Sequence, residues 1–308
     1  MNKKYISVII PVHNQSWELE KTLYSVSRQK GIGFNEFEVI VMNTNPENKE
    51  TLEVVSYFAE LCKNVRLIQV SGEKAQTIKN STFPLNLGAR KYAKGKLLLL
   101  AVDAARVITN MVLRKTRNEF EKWGDDIVTT TIPYHFFKHS SVPGFTVEEC
   151  REAFLKTRWK KDIRCLLDYK ADTNISKSGV PNESTWLGII RENFLKVGGH
   201  NEFFTEWSSY NLDLWRRLTR AKPKDGVQIP GKVNDHWGKI GLGLEVKILE
   251  DEFDIHLHHS LSDAKRDFNV LKKLAREVWE EYAKIGDCIC SNLTRLDWGT
   301  GEAEEIIF

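Results

Sequence analysis

Three short runs that are apolar on both faces constrain this chain most. They are Ser7-Val8-Ile9-Ile10-Pro11-Val12, Phe37 to Met42, and Leu97-Leu98-Leu99-Leu100-Ala101-Val102. A strand with one wet face alternates apolar and polar residues, whereas a continuous apolar run marks a strand covered on both faces, as in parallel sheets. Helical patterns separate the runs. Leu19, Leu23 and Val26 follow a cap at Ser16 and stop at Gly31, and Lys49 to Leu61 forms a second helical stretch. Val65 to Val70 reads as a third strand, and Leu85 to Ala93 as a helix ended by Gly95. This strand–helix alternation predicts an α/β fold with an open, mostly parallel central sheet. Such sheets bind ligands beyond the carboxyl ends of their strands. His13-Asn14, Asn43 and Asp103 all fall just past strand ends.

The remainder reads less regularly. Ile127 to Ile132 and Trp186 to Ile190 are strands, Val147 to Arg158 an amphipathic helix, and residues 171–184 a polar loop. Lys156 to Lys161 is a basic helix face around Trp159, in keeping with a solvated surface. Phe194 to Gly199 ends at a glycine turn, and Leu214, Trp215 and Leu218 give Leu212 to Thr219 a helical spacing. Val246 to His259 alternates as a strand. From Ser262 an apolar stripe (Phe268, Leu271, Leu274, Val278, Trp279, Tyr282, Ile285) makes a long helix that stops at Gly286. At about 150 residues per domain, 308 residues suit a core over 1–220. Residues 221–308 would then be a C-terminal strand and helical extension that complete the domain or form an oligomer contact.

Composition narrows the function. With 45 Lys and Arg against 42 Asp and Glu, the net charge of +3 gives no electrostatic footprint for nucleic acid. The five Cys are scattered apart from Cys288 and Cys290, and lack zinc-finger spacing. Reduced buried thiols suit a reducing, cytoplasmic setting. The apolar run from Ile6 is short for a secretory leader, and no stretch of 18 apolar residues predicts a membrane span.

The first strand with Pro11-Val12-His13-Asn14 resembles the opening of the family 2 glycosyltransferases, which have the GT-A fold. Phe37 to Val41 is similar to that family's second strand. Asn86-Leu87-Gly88-Ala89-Arg90 and Ala93 to Lys96 resemble its approach to the metal-binding strand, and Leu97 to Asp103 resembles that strand. Phe194 to Phe203 and Trp207 to Leu218 resemble its acceptor-side segment and acidic helix. The resemblance runs over residues 5–110 and 186–218, in the family's order. It implies transfer of a sugar from a UDP- or GDP-linked donor to a glycan or other hydroxyl acceptor, with inversion preferred over retention.

Three motifs depart from the family pattern, at four positions. Asn43 and Thr44 replace two acids, of which the first contacts the base, and an amide offers both a donor and an acceptor there. Asp103-Ala104-Ala105 retains one carboxylate of the family's metal motif. Asn211 stands where the general base is expected. Asn211-Leu212-Asp213 after Trp207 also resembles the polypeptide N-acetylgalactosaminyltransferases, whose late histidine ligand would correspond to His258 in His256-Leu257-His258-His259. The resemblance thus implies nucleotide-sugar contacts from Pro11, His13, Asn14, Asn43, Lys79, Arg90 and Asp103, and acceptor contacts from Trp207, Asn201 and Glu202. Asp213 or Glu206 would be the base, and Asp103 and His258 would hold Mn²⁺ or Mg²⁺. Without a metal, Lys79, Arg90 and Arg106 would steady the diphosphate. The lost carboxylates also suit a degenerate relative that binds a nucleotide sugar, a glycan or a partner without turnover. A nucleotidyltransferase would require a glycine-rich phosphate loop after the first strand, which this sequence lacks.

Overall fold

The computed structural model describes residues 5–78, 80–135, 169–170, 186–202, 204, 210–219, 242–257 and 299–308. The helix expected over Val147 to Arg158, the polar loop at 171–184 and the long helix from Ser262 lie outside these residues. So do Lys79, Glu206, Trp207 and His258.

The chain begins β1 (Ile6–Val12), α1 (Ser16–Ser27), β2 (Phe37–Asn43), α2 (Lys49–Cys62) and β3 (Val65–Ser71). Next come α3 (Gly72–Thr77), α4 (Thr82–Leu87), a π turn (Gly88–Tyr92) and β4 (Leu97–Ala101). Strands β3, β2, β1 and β4 lie side by side and parallel, with Val8 between Val39 and Leu99. Every residue of β1, β2 and β4 is buried, which is why, apart from Ser7, Glu38 and Asn43, their sequences are apolar without alternation.

The flanks are mixed. From β4 the sheet continues through β8 (Trp186–Ile190), β6 (Ile127–His135), β9 (Glu245–His256) and β5 (Arg106–Ile108). Of these pairings only β6 with β9 is parallel. The short β7 (Tyr169–Lys170) pairs with β6. At the other edge β10 (Glu302–Ile306) runs antiparallel to β3. Helices α5 (Val112–Trp123), α6 (Arg191–Lys196) and α7 (Tyr210–Thr219) complete the described elements. Two apolar clusters cover the two sheet faces, one centred on Val8, Ile10, Val41 and Leu99, the other on Ile9, Ile40, Leu98 and Trp215.

The amino edge of the sheet is a polar clamp. Glu38 is buried and accepts hydrogen bonds from Ser7 Oγ (2.7 Å), Lys94 N–H (2.7 Å) and Arg66 Nη2 (3.0 Å). Arg66 also reaches Glu305, so the clamp ties β10 to β2.

The C-terminal segment closes over α4. Gly299 has φ +67°, and a Cβ there would lie 2.8 Å from the backbone oxygen of Asn86. Gly299→Ala is therefore expected to cost about 1–2 kcal/mol, since a backbone atom cannot swing aside and the residue occupies left-handed space. A urea midpoint within error of the parent would show that the segment does not pack there.

Candidate functional site

The loops after β1 and β2 lean on each other. Asn48 caps α2 by accepting from Thr51 N–H (3.1 Å). Ser16 is the first residue of α1 rather than its cap, and its hydroxyl contacts Asn48 Oδ1 (3.2 Å) and Thr51. Pro11 is buried opposite Met42. His13 and Asn14 are exposed. His13 Nδ1 lies 3.0 Å from Thr44 Oγ1, and Asn14 Oδ1 accepts from Asn45 Nδ2 (2.6 Å).

Asn43 behaves differently from expectation. It is fully buried, its Oδ1 accepts from Asn45 N–H (3.0 Å), and its Nδ2 donates to Asn45 O (2.9 Å) and Gln69 Oε1 (2.9 Å). Both amide hydrogens are committed to the protein. The expected base contact through this amide is therefore corrected to a loop-building role, one that a carboxylate could not fill because it has no donor.

Asp103 follows β4 and is 5% exposed. Its Oδ1 accepts from Ala105 N–H (2.8 Å), closing a tight turn. Its Oδ2 lies 3.4 Å from Arg106 Nε and 3.6 Å from His256 Nε2. Arg106 pairs in register with His256, and its Nη1 donates to Asp254 Oδ1 (3.4 Å). Asp254 is fully buried and takes the Thr131 hydroxyl on Oδ2 (2.7 Å). Thr22 Oγ1 holds the turn, accepting from Arg106 N–H (3.0 Å) and donating to Ala104 O (2.6 Å). Nearby, Tyr210 is buried against Ser81 Oγ (3.1 Å), and its hydroxyl is pushed well above the usual phenol range by burial and then by the Asp103 charge.

Asp103, expected to hold a metal ion beside the nucleotide sugar, is thus found in an ion pair with Arg106. Among the described residues, the imidazole that reaches it is that of His256. A hard divalent cation takes oxygen ligands at about 2.0–2.2 Å, six of them for Mg²⁺. Here one carboxylate faces the turn on one side and a guanidinium on the other, and Ala105 offers nothing. Among the described residues, no group of three His, Cys, Asp or Glu could hold an ion. These residues do not fit a bound Mn²⁺ or Mg²⁺.

Arg90 falls at the wrong edge. The chain runs down through α4 and the π turn to the amino end of β4, so Arg90 O meets Arg191 Nη2 (2.9 Å), just beyond the Leu97–Ile190 pair. Its expected diphosphate contact is corrected accordingly.

The acceptor-side acids are also engaged. Asp213 and Arg217 are fully buried together, with Nη2 2.7 Å and Nε 3.0 Å from Asp213 Oδ2, and Arg217 Nη1 also donates to Val197 O. A carboxylate held this way is a poor proton acceptor, which corrects the base assignment. Glu202 is buried, accepting from Asn86 Nδ2 (2.8 Å) and Gly299 N–H (2.6 Å), with Lys74 Nζ at 3.2 Å. Burial raises its pKa above the usual carboxylate value, against the pull of those partners. Asn201 is fully buried. Glu202 builds the packing around Gly299 and α4, and neither residue offers an exposed surface for an acceptor.

A cavity of about 10 Å³, roomy enough for one water, lies at the carboxyl end of β4 and is lined by Ala101, Val102, His200, Asn211, Leu214 and Trp215. Asn211 therefore faces this end of the sheet, one turn from the buried Trp215. Asp254, Thr131 and Tyr210 were missed from sequence. The one available signal was an acid at position 254 inside an alternating strand.

The fold has known counterparts. The chain superposes on residues 1–349 of TarS from S. aureus bound to UDP with a TM-score of 0.52 at 16% identity, covering 94% of this chain and 69% of that one. The mannosyltransferase PcManGT from Pyrobaculum calidifontis, in complex with GDP-Man and Mn²⁺, gives 0.52 at 12% identity, with coverages of 95% and 69%. GalNAc-T7 with UDP, GalNAc and Mn²⁺ gives 0.52 at 14%, with coverages of 84% and 44%. At these identities the likeness is one of fold. No curated protein matches the sequence. The sequence profile of Glycosyl transferase family 2 matches residues 7–170, more than half of the chain, and this protein belongs to that family of glycosyltransferases.

Proposed function

We propose that the chain transfers a glycosyl group from a UDP- or GDP-linked donor to a hydroxyl of a glycan or similar acceptor, with inversion. The reading is supported by the pairing of β1 and β4 as parallel neighbours, so that His13 and Asn14 after the one and the Asp103 turn after the other follow carboxyl ends at the same edge of the sheet, the ligand edge of such a fold. The base and ribose would lie over the β1 and β2 loops, and the diphosphate beside the β4 turn. Glu206 is the remaining acid of the acceptor segment, and it is the group we assign to take the acceptor's proton as the new bond forms.

Incubation with a panel of nucleotide sugars tests the reading. Release of nucleotide from one UDP- or GDP-sugar, stimulated by an acceptor glycan, is expected. Glu206→Gln should then lower turnover about a hundredfold with donor affinity unchanged. Failure of every donor to react or bind would end the proposal. A second reading, binding without turnover, is favoured by the replacement of acids at Thr44, Ala105 and Asn211. Tight nucleotide binding with no release or transfer from any donor would select it.

A further inference from the structure

We propose that Arg106 is a built-in cation that takes the place of the divalent ion, so that this protein binds its nucleoside diphosphate without metal. The inference rests on the nucleotide-sugar reading above and adds how the phosphates are held.

Four observations meet at one point. The turn Asp103-Ala104-Ala105 has a methyl group where a second carboxylate would be needed to hold an ion. The remaining carboxylate already has both oxygens directed at positive or donor groups, Oδ1 at Ala105 N–H and Oδ2 at Arg106 and His256. The guanidinium bridges two acids from separate parts of the sheet, Asp103 after β4 and Asp254 on β9. Its side chain is 7% exposed, and Nη2 has no protein partner among the described residues, whereas Nε and Nη1 face the two acids.

The arm is also rigid. Its backbone N–H is fixed to Thr22 on α1, the strand that carries it pairs with β9, and Leu257 N–H donates to Ala105 O (2.9 Å). A guanidinium held in one orientation loses little freedom on binding an anion, and its planar fork suits phosphate oxygens. Asp254, fully buried and satisfied by Thr131, orients the fork from behind. Asp103, with Ala105 in place of a second acid, serves here to position Arg106.

Calorimetry on the whole chain tests this. UDP and GDP are titrated in EDTA and again in millimolar Mn²⁺ or Mg²⁺. Affinities for the preferred nucleotide within about twofold of each other are expected, and a gain of tenfold or more with metal overturns the proposal. Titration of Mn²⁺ alone is expected to show no site that Asp103→Asn abolishes, and finding one overturns it whether or not nucleotide binds. Arg106→Lys keeps the charge between the two acids while losing the fork. It should weaken diphosphate binding about tenfold and leave binding of the bare nucleoside unchanged. Equal weakening of both ligands would mean that Arg106 acts only through the fold, and the proposal fails. Absence of nucleotide binding in every buffer sinks the nucleotide-sugar reading together with this one, whereas metal-dependent binding sinks this one alone.

Discussion

Arg217→Met is expected to cost 3–5 kcal/mol of folding stability, the largest effect of any single substitution considered for this chain. Both partners of the Arg217–Asp213 pair are completely buried, and they lie one turn apart on α7. A buried pair contributes little net energy compared with apolar residues of similar size. Removing one partner is another matter, because it takes away the guanidinium that faces a carboxylate in a low-dielectric interior. Arg217 also donates to Val197 O, so the change frees the chain just before Gly198 and Gly199, which both sit at positive φ. The double variant Asp213→Leu, Arg217→Met removes the carboxylate as well and should recover most of the loss. Urea unfolding measures both, and the midpoint should fall in the single variant with little change in slope. A single-variant cost below about 1 kcal/mol would contradict the burial of this pair. Activity in Asp213 variants should track the folded fraction, as befits a residue that stabilises α7.

The parallel centre of the sheet was legible because burial on both faces leaves a direct mark in sequence. Leu97 to Leu100 could hardly be anything but an inner strand, and β1, β2 and β3 fall within a residue of their expected ends. Edge elements leave no such mark. Glu302–Ile306 carries three glutamates and no apolar run, and it is a strand because its backbone pairs with β3 and Glu305 meets Arg66. Arg106–Ile108 is three residues long, too short for any period to show. The site divides in the same way. Positions just past strand ends follow from topology, so His13, Asn14 and Asp103 could be grouped without a structure. What those side chains touch could not. Asp254 reaches Arg106 across 148 positions of sequence, and Asn43 reaches Gln69 on a neighbouring strand. Arg90 shows the cost of reading a motif as a list of residue types: the direction of α4 puts it at the opposite edge of the sheet from the ligand.

Mild acid should destabilise this protein through His200. The imidazole is buried, with ring contacts to Phe194 (5.9 Å) and Tyr210 (5.7 Å). Its backbone N–H donates to Asn86 Oδ1 (2.7 Å), and its carbonyl accepts from Asn86 Nδ2 (2.8 Å). Burial, and then the Arg217 charge, lower its pKa to about 3 from an ordinary 6.5. The unfolded chain therefore binds more protons than the folded one between those two values. Stability from this group is complete above pH 6.5 and is lost as pH falls through that window, by about 2 kcal/mol at pH 5 and about 3 kcal/mol at pH 4. Glu202 works in the opposite sense. Its pKa is raised on folding, so its contribution is greatest in acid and fades as pH rises through the folded value. His200→Phe separates the two, because it keeps a ring in the Phe194–Tyr210 stack and removes the titrating group. Between pH 7.5 and 5 the parent should lose about 2 kcal/mol more than His200→Phe in urea midpoints converted at a common slope. Equal losses in the two proteins would show that His200 accepts its proton in the folded state as readily as in the unfolded chain.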